Sequence, residues 1–163
     1  MTINNVNILF IIMNYSILAT DMAEHFEMTK TVNVRLKKGI FNPEIEADQL
    51  LLMKALIHSS DISNPLYEFH LAKKWSDLVV MEFNNQARLE KENNLPLSAM
   101  FDTEIDTPAH GRMNINFIDF VIVPLWEGLV SFLPELKPVL RQMYLNRIEW
   151  QKMLDAGKYI NNI

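Results

Sequence analysis

The chain has no cysteine and only four glycines among its 163 residues. The absence of cysteine excludes disulfides, a thiolate metal site and a cysteine nucleophile, and it fits a reducing compartment. So few glycines, beside ten methionines, argue against a β-rich or disordered chain. Basic charge is also scarce, because the formal net charge is -5 and the lysines and arginines are scattered. We therefore predict no binding to nucleic acid polymers.

Long apolar runs are absent near the start of the chain. The run Ile8–Met13 has six residues between Asn7 and Asn14. A bilayer-spanning helix needs about 20 residues, so this run is too short. The residues before it lack the positive charge of a signal peptide. The sequence thus predicts a buried helix, or the ragged start of one, with no transmembrane segment and no secretion signal.

What the chain does contain is apolar residues repeated at steps of three and four, which is typical of amphipathic helices. We predict five helices, divided by proline, glycine and polar stretches, with an irregular segment over residues 95–112. Their predicted bounds are Ser16 to Lys38, Asn42 to His58, Tyr67 to Asn93, Ile115 to Phe132 with a break at Pro124, and Leu136 to Leu154. The fold class is all-α, in one compact helical bundle.

The most informative segment is Ala55–Pro65, which places a carboxylate, Asp61, directly after a long apolar run. A proline disfavours helical backbone in the residue before it, so Pro65 predicts that the helix ends near Asp61. A carboxylate in apolar surroundings requires a partner, either backbone donors in the following turn or a metal ion. Spacing alone favours a turn or capping role for Asp61 and leaves the metal open.

Two further segments accompany Asp61: I-L-A-T-D-M at residues 17–22 and F-I-D-F at residues 117–120. Together with H-x-x-D-I-S-N-P at residues 58–65, they resemble the class I 3',5'-cyclic nucleotide phosphodiesterases. The resemblance covers Ile17 to Met153 and implies the C-terminal portion of their HD-type all-α catalytic domain. It divides the chain into an irregular or atypical start at 1–16, a partial catalytic domain at 17–155 and a tail at 156–163.

The resemblance implies a metal site. In that family, the aspartate at the position of Asp61 is a ligand of a tightly bound metal, and two divalent metals act together, zinc with magnesium or manganese. Thr20 and Asp21 are expected behind the metal site as supporting residues, and Met22 is expected to line the pocket. The alternative for these three residues is the polar face of the first helix, with Met22 in the core.

The resemblance also implies a site for the base of the nucleotide. Asn64 and Asn114 are expected to contact the purine, with Asn114 at a position where the family has glutamine. Phe117 is expected to stack on the base, while Val79 and Met100 line the pocket. The alternatives are an Asx-type turn for Asn64 and ordinary core packing for Phe117 and Val79.

The histidines that complete the family's metal site come from H-N-x-x-H and H-D-x-x-H-x-G segments, which do not precede Ile17 here. The histidine that protonates the leaving 3' oxygen in the family is not visible either. His25, His58, His70 and His110 are scattered along the sequence, and we expect none of them to replace it. We therefore identify no catalytic residue and expect this chain alone to be a poor catalyst.

The predicted function is hydrolysis of cyclic AMP or cyclic GMP to the 5'-monophosphate in signal transduction, with a cyclic nucleotide as substrate. The alternative is a non-catalytic helical module of the same descent that binds nucleotide or another protein. Truncation of the domain would expose apolar helix faces, so a homo-oligomer is a further expectation. Family and composition predict a cytoplasmic protein, or one held at a membrane through regions outside this chain.

Overall fold

The computed structural model describes residues 3–98 and 103–160. Seven α-helices form in these ranges, joined by short 3₁₀ and π-helical turns. They are α1 (Ile3–Leu18), α2 (His25–Val32), α3 (Glu46–Asp61), α4 (Phe69–Glu92), α5 (Pro108–Phe117), α6 (Val123–Phe132) and α7 (Lys137–Ile160). The described part of the chain contains no strand, so the predicted all-α class is confirmed.

Contacts divide the predicted compact helical bundle into two units. The chain forms two compact units, one made of residues 1–63 and 120–140 and the other of residues 64–119 and 141–163. The described residues of the start expected at 1–16 belong to α1, as the run Ile8–Met13 predicted, but Phe10–Met13 are 39–67% exposed and not buried as expected. At the other end, α7 continues to Ile160, past the predicted boundary of the tail.

The first predicted helix is divided into two. The break lies at Ala19–Asp21, where the Thr20 hydroxyl donates to the Ile17 carbonyl at 2.8 Å and the Asp21 carboxylate accepts from the Ala23 N–H at 2.9 Å. Such side-chain bonds to nearby backbone compete with helix continuation. Asp21 thereby caps a 3₁₀ turn, Met22–Glu24, that leads into α2.

The start of α3 also lies later than predicted. Asn42-Pro43 was expected to open the helix, but the Asn42 side chain accepts from the Glu44 N–H in a turn, and α3 begins at Glu46. Asp48 fixes this turn, because its carboxylate accepts from the Asn42 N–H and makes a bidentate pair with Arg35. Asn42 therefore stabilises the connection into α3 and does not cap the helix.

The break expected at Pro124 is present as a π-helical turn, Ile118–Ile122, between α5 and α6. Proline has no N–H for the preceding turn of a helix, and a π-turn is one way to accommodate that loss. A second π-turn, Asn33–Lys37, follows α2 and packs on α6. Asn33 joins the two segments, since its amide donates to the carbonyls of Thr29 and Pro124 at 2.9 and 3.0 Å.

The core of the first unit lies between α2, α3 and α6. Its buried side chains are Met28, Val32, Leu36, Ala55, Leu125 and Leu129. α6 approaches α2 closely at Gly128, where a Cβ atom would lie 2.8 Å from Cγ1 of Val32. This close approach explains why a glycine stands in the middle of an apolar helix.

The second unit packs α5 against α7 around Trp150, which is 1% exposed. The Trp150 ring contacts His110 and Phe69 edge-on, at centroid distances of 5.0 and 5.2 Å. Gly111 permits this packing, because a Cβ atom there would lie 3.0 Å from the Trp150 carbonyl oxygen.

One helical stretch, Pro108–Phe132, is long and apolar enough to cross a membrane by length and composition alone. Core helices of soluble proteins pass the same test. Ile118, Ile122, Leu125 and Leu129 in this stretch are 0–1% exposed, as expected of a core helix.

Candidate functional site

Asp61 is the last residue of α3, near the end that Pro65 predicts and three residues beyond the predicted bound at His58. Its side chain is exposed and makes no hydrogen bond or ion pair with the described residues. The carbonyls at the end of a helix carry partial negative charge, so a carboxylate at this position is disfavoured by the helix dipole. The exposed carboxylate of Asp61 is therefore solvated, and a cation at this position would offset the unfavourable helix dipole.

Thr20, Asp21 and Met22 lie in the same unit as Asp61. The Thr20 hydroxyl and the Asp21 carboxylate both make the local backbone bonds that end α1 and begin the 3₁₀ turn. The Met22 side chain is 42% exposed, so it does not belong to the core of this unit. A supporting role for Thr20 and Asp21 at a metal site stays a prediction.

Two histidines that are far apart in sequence meet in this unit. Nδ1 of His25 lies 2.9 Å from Nε2 of His58, and both side chains are fully buried. The Thr29 hydroxyl lies 3.5 Å from Nε2 of His25. The pair connects the start of α2, directly after the Thr20–Met22 segment, to the last turn of α3, which carries Asp61. Two of the histidines that are scattered along the sequence are therefore neighbours in the fold.

Both imidazoles are neutral near pH 7. Burial lowers the pKa of His25, and the charge of His58 lowers it further, against the effect of the Val121 backbone. Burial also lowers the pKa of His58, while the Ala19 backbone and the charge of Asp61 oppose the shift. Nδ1 of His58 has no hydrogen-bond partner among the described residues. One N–H therefore joins the two rings, and the pair carries no net charge.

The sequence could have indicated this pair. His25 lies on the same helical face as the buried residues Met28 and Val32, and His58 follows the buried Ala55 by three residues. Each histidine thus occupies a core position of its helix. Sequence spacing cannot show that the two core positions face each other, because 33 residues separate them.

The residues expected at the base of the nucleotide lie in the second unit. Asn64 opens the 3₁₀ turn Asn64–Leu66, and Val79 on α4 and Phe117 at the end of α5 are half-buried. Asn114 is 9% exposed, and its amide nitrogen donates to the His110 carbonyl at 2.9 Å. The carbonyl oxygen of the Asn114 side chain has no such intrahelical bond. Met100 lies outside the described residues.

Asn146 fixes the turn that follows Asp61, and sequence reasoning missed it. Its buried amide nitrogen donates to the carbonyls of Pro65 and Tyr67 at 2.8 and 2.6 Å. The Gln142 amide completes the arrangement by donating to Oδ1 of Asn146 at 2.9 Å. α7 therefore holds the backbone of the segment that contains Asn64.

A second arrangement has the residue types of a serine hydrolase but not its chemistry. Ser76 Oγ lies 2.7 Å from Nε2 of His110, and Asp77 lies 3.9 Å from Nδ1. The Asp106 backbone N–H donates to Nδ1 at 3.3 Å, which places the ring proton on Nε2. His110 thus donates to Ser76 and cannot accept its proton, as a general base must. The His110 ring is fully buried, and its bond to the half-buried Ser76 holds α4 to α5.

The described residues do not form a metal centre by themselves. Over residues 3–98 and 103–160, no three His, Asp or Glu side chains converge in a way that could hold a metal ion. A catalytic zinc takes three protein ligands, so one carboxylate does not meet its requirement. Asp61 can supply one ligand at most, and we derive no metal-dependent step from this chain alone.

A family profile, related sequences and a solved structure all match this chain, and all three belong to one family of enzymes. The profile of the 3'5'-cyclic nucleotide phosphodiesterases matches residues 2–143. Two Dictyostelium discoideum proteins are each 34% identical: the 3',5'-cyclic-nucleotide phosphodiesterase regA over 142 residues, and the cGMP-specific 3',5'-cGMP phosphodiesterase 3 over 134 residues. These alignments cover 87% and 82% of this chain.

A solved structure is also similar, that of the phosphodiesterase domain of the Salpingoeca rosetta rhodopsin phosphodiesterase. It superposes with a TM-score of 0.93 at 27% identity over 99% of this chain. The chain spans 50% of that domain, and only 18% and 28% of the two Dictyostelium relatives. The match over most of its length nevertheless shows that the chain belongs to the 3',5'-cyclic nucleotide phosphodiesterase family.

Proposed function

We propose that this chain contributes one part of a metal-dependent hydrolase that opens the 3' ester of a cyclic nucleotide to give the 5'-monophosphate. The position of Asp61 is the observation that carries the proposal. The exposed carboxylate of Asp61 stands at the end of α3, where the helix dipole opposes it, and it makes no hydrogen bond or ion pair with residues 3–98 or 103–160, within the segment that matches the family. Such a group is suited to bind a cation that further ligands complete.

Asp61 is the one metal ligand in this proposal. The remaining ligands of the two divalent metals, zinc with magnesium or manganese, would come from residues outside the described part of the chain. Thr20 and Asp21 would act through the backbone they organise, since both side chains already bond to it. The buried His25–His58 pair carries no charge near pH 7 and is not proposed as a ligand.

The substrate in this proposal is cyclic AMP or cyclic GMP, because the relatives include enzymes named for each. For the base of the nucleotide we propose contacts with Asn64, Asn114 and Phe117, and we retain Val79, Met22 and Met100 as predicted substrate-binding residues. The Asn114 amide nitrogen is already bonded to the His110 carbonyl, so the side-chain oxygen is the atom that we propose as an acceptor for a donor on the base.

Turnover and metal content of an assembled domain test the proposal. This chain is joined to the half of the Salpingoeca domain that it does not cover, and hydrolysis of both cyclic nucleotides is measured with the bound zinc. We expect Asp61→Asn to abolish turnover and reduce the zinc content, and the surface variant Glu135→Gln to leave both unchanged. Full turnover in Asp61→Asn would refute the role of Asp61.

An assembled domain that folds but hydrolyses neither nucleotide would favour the alternative function, a non-catalytic module of the same family. Equilibrium binding of cyclic AMP and cyclic GMP would then distinguish nucleotide binding from protein interaction. A module that still binds nucleotide should lose affinity in Phe117→Ala, because a stacked aromatic ring contributes about 1–3 kcal/mol to base binding.

A further inference from the structure

The buried ring of His110 joins three segments of the second unit at the start of α5. Nε2 of His110 lies 2.7 Å from the Ser76 hydroxyl of α4, and Nδ1 accepts from the Asp106 N–H at 3.3 Å. The Trp150 ring of α7 packs edge-on against the imidazole. Both ring nitrogens are therefore hydrogen-bonded while His110 is neutral.

His110 also holds Asn114, which lies one turn further along α5. The His110 backbone carbonyl accepts from the side-chain nitrogen of Asn114 at 2.9 Å, and Asn114 is 9% exposed. The terminal torsion of an asparagine side chain has only a weak rotamer preference, so a hydrogen bond of this kind decides how the amide is turned. The backbone position of His110 thus fixes which side-chain atom Asn114 offers to a ligand.

The turn before α5 depends on the same ring. Asp106 has a φ of 62°, a left-handed conformation that is uncommon for a residue other than glycine. Two contacts hold Asp106 there, namely its N–H bond to Nδ1 of His110 and an ion pair of its carboxylate with Lys73 at 2.9 Å. The Thr107 hydroxyl then caps α5 by accepting from the His110 N–H. The first turn of α5 is therefore anchored at His110.

A proton on Nδ1 would break this anchor, because Nδ1 would become a donor that faces the Asp106 N–H. The charged groups around the ring are Asp77, 3.9 Å from Nδ1, and Lys73, which pairs with both Asp77 and Asp106. Burial lowers the pKa of His110, the charge of Asp77 opposes this shift, the charge of Lys73 adds to it, and that of Asp106 opposes it. The ring is therefore neutral at pH 7 and takes up its proton only in acid, below about pH 6.5.

We propose that His110 is a positioning residue for Asn114 and makes ligand contact by Asn114 dependent on pH. In the neutral form the ring holds the first turn of α5, and the His110 carbonyl keeps the Asn114 amide in one orientation. In the protonated form the turn before α5 loses its bond to Nδ1, and the orientation of the Asn114 amide is no longer fixed. Contact between Asn114 and a nucleotide base rests on the proposed function, whereas the coupling between His110 and Asn114 does not.

NMR of the whole chain tests the coupling without any ligand. The side-chain amide signals of Asn114, identified by their absence from Asn114→Asp, are followed together with the imidazole signals of His110 from pH 7 to 5. We expect both sets to shift with one common midpoint. His110→Gln keeps a donor and an acceptor but cannot titrate, so in this variant the Asn114 signals should stay at their pH 7 positions. The control His70→Gln, at an exposed histidine of α4, should leave the titration unchanged.

Three results would overturn the coupling. The Asn114 signals do not move while His110 titrates, or they move equally in His110→Gln, or the chain unfolds before His110 takes up its proton.

Kinetics of the assembled domain test the consequence for the nucleotide. We expect the KM of the parent to rise about three- to tenfold from pH 7 to 5, the effect of one hydrogen bond, beyond any rise in His110→Gln. The change in kcat should be the same in both proteins. His110→Phe keeps a ring against Trp150 but has no polar atom, so its KM should be raised already at pH 7. An equal dependence of KM on pH in the parent and in His110→Gln would show that His110 only supports the fold.

The two measurements separate this inference from the proposed function. An assembled domain that hydrolyses neither nucleotide refutes the proposed function, and the NMR titration still decides whether His110 positions Asn114. A domain that hydrolyses a cyclic nucleotide while the Asn114 signals ignore the titration of His110 refutes the inference and leaves the proposed function standing.

Discussion

Nδ1 of His25 and Nε2 of His58 lie 2.9 Å apart, with no solvent access to either ring. Two neutral imidazoles can share one N–H in this geometry, whereas two imidazolium rings would repel each other. Both pKa values are held below 6.5, in each case mainly by burial. The pair thus stabilises the contact between α2 and α3 best in its neutral form, because burial disfavours charge on either ring.

The first prediction is that the free energy of unfolding already decreases between pH 7 and 5, before the carboxylates take up protons. In the unfolded chain each histidine takes up a proton at a pKa of about 6.5, but in the folded chain it does so only at lower pH. The unfolded state therefore binds more protons, and the free energy of unfolding falls as the pH drops from 7 towards 5. Each unit of lowered pKa contributes about 1.4 kcal/mol to this loss.

Urea denaturation at several pH values measures this slope. His110 is also buried and its pKa is also lowered, so it contributes to the same trend. The variant His58→Gln keeps a hydrogen-bonding group but cannot titrate, and it should show a shallower slope than the parent. A slope unchanged by His58→Gln would contradict the assignment to the pair.

The second prediction concerns the close approach of α6 to α2. Gly128→Ala would place Cβ 2.8 Å from Cγ1 of Val32, a buried β-branched side chain that has little freedom to move. Overpacking of this kind costs about 1–3 kcal/mol, which exceeds the gain of about 1 kcal/mol in helix propensity. We expect Gly128→Ala to reduce the free energy of unfolding in urea denaturation.

A double-mutant cycle separates this clash from other effects of the alanine. Val32→Ala removes the methyl group that Cβ would meet, so Gly128→Ala should cost less in the Val32→Ala background than in the parent chain. If the two substitutions are strictly additive, the destabilisation does not come from the contact between residues 32 and 128.

The third prediction concerns Asn146. Asn146→Ala removes two hydrogen bonds to the carbonyls of Pro65 and Tyr67 and leaves these carbonyls without their donor. Loss of a buried bond together with an unsatisfied partner costs about 1–3 kcal/mol, so we expect a loss of about 2–4 kcal/mol of stability. Gln142→Ala removes only the bond to Oδ1 of Asn146 and serves as a milder control. Equal effects of the two variants would contradict the role of Asn146 as the clamp.

The sequence predicted the local features of this fold better than its long-range contacts. Pro65 indicated the end of α3 at Asp61, and Pro124 indicated the break between α5 and α6, because proline acts on the backbone next to it. Asn42-Pro43 predicted the start of α3 too early. The Asn42 side chain accepts a hydrogen bond within the turn before the helix, and the Asp48 carboxylate holds that turn in place. No local pattern shows that a carboxylate six residues further along will decide where the helix begins.

In the candidate site, too, the sequence predicted local motifs but not the long-range contacts between them. The motif positions of Asp61, Asp21 and Asn114 were readable, since they follow one another in short recognisable segments. The partners of these segments were not, because they come from distant parts of the chain. His25 meets His58 across 33 residues, and Asn146 meets Pro65 across 81 residues. Polar pairs of this kind depend on the packing of whole helices, which a single sequence does not reveal.

The last prediction is that Asp61 lowers the stability of the chain that carries it. Its carboxylate adds negative charge at the end of α3 and has no hydrogen-bond or ion-pair partner in the described ranges. Asp61→Asn removes the charge with little change in shape, so it should raise the free energy of unfolding by about 0.3–1 kcal/mol. Urea denaturation at low ionic strength measures this gain, and added salt should reduce it. A loss of stability would show that Asp61 serves the folding of this chain. A gain, together with lost turnover in the assembled domain, would show that Asp61 serves function at the expense of stability.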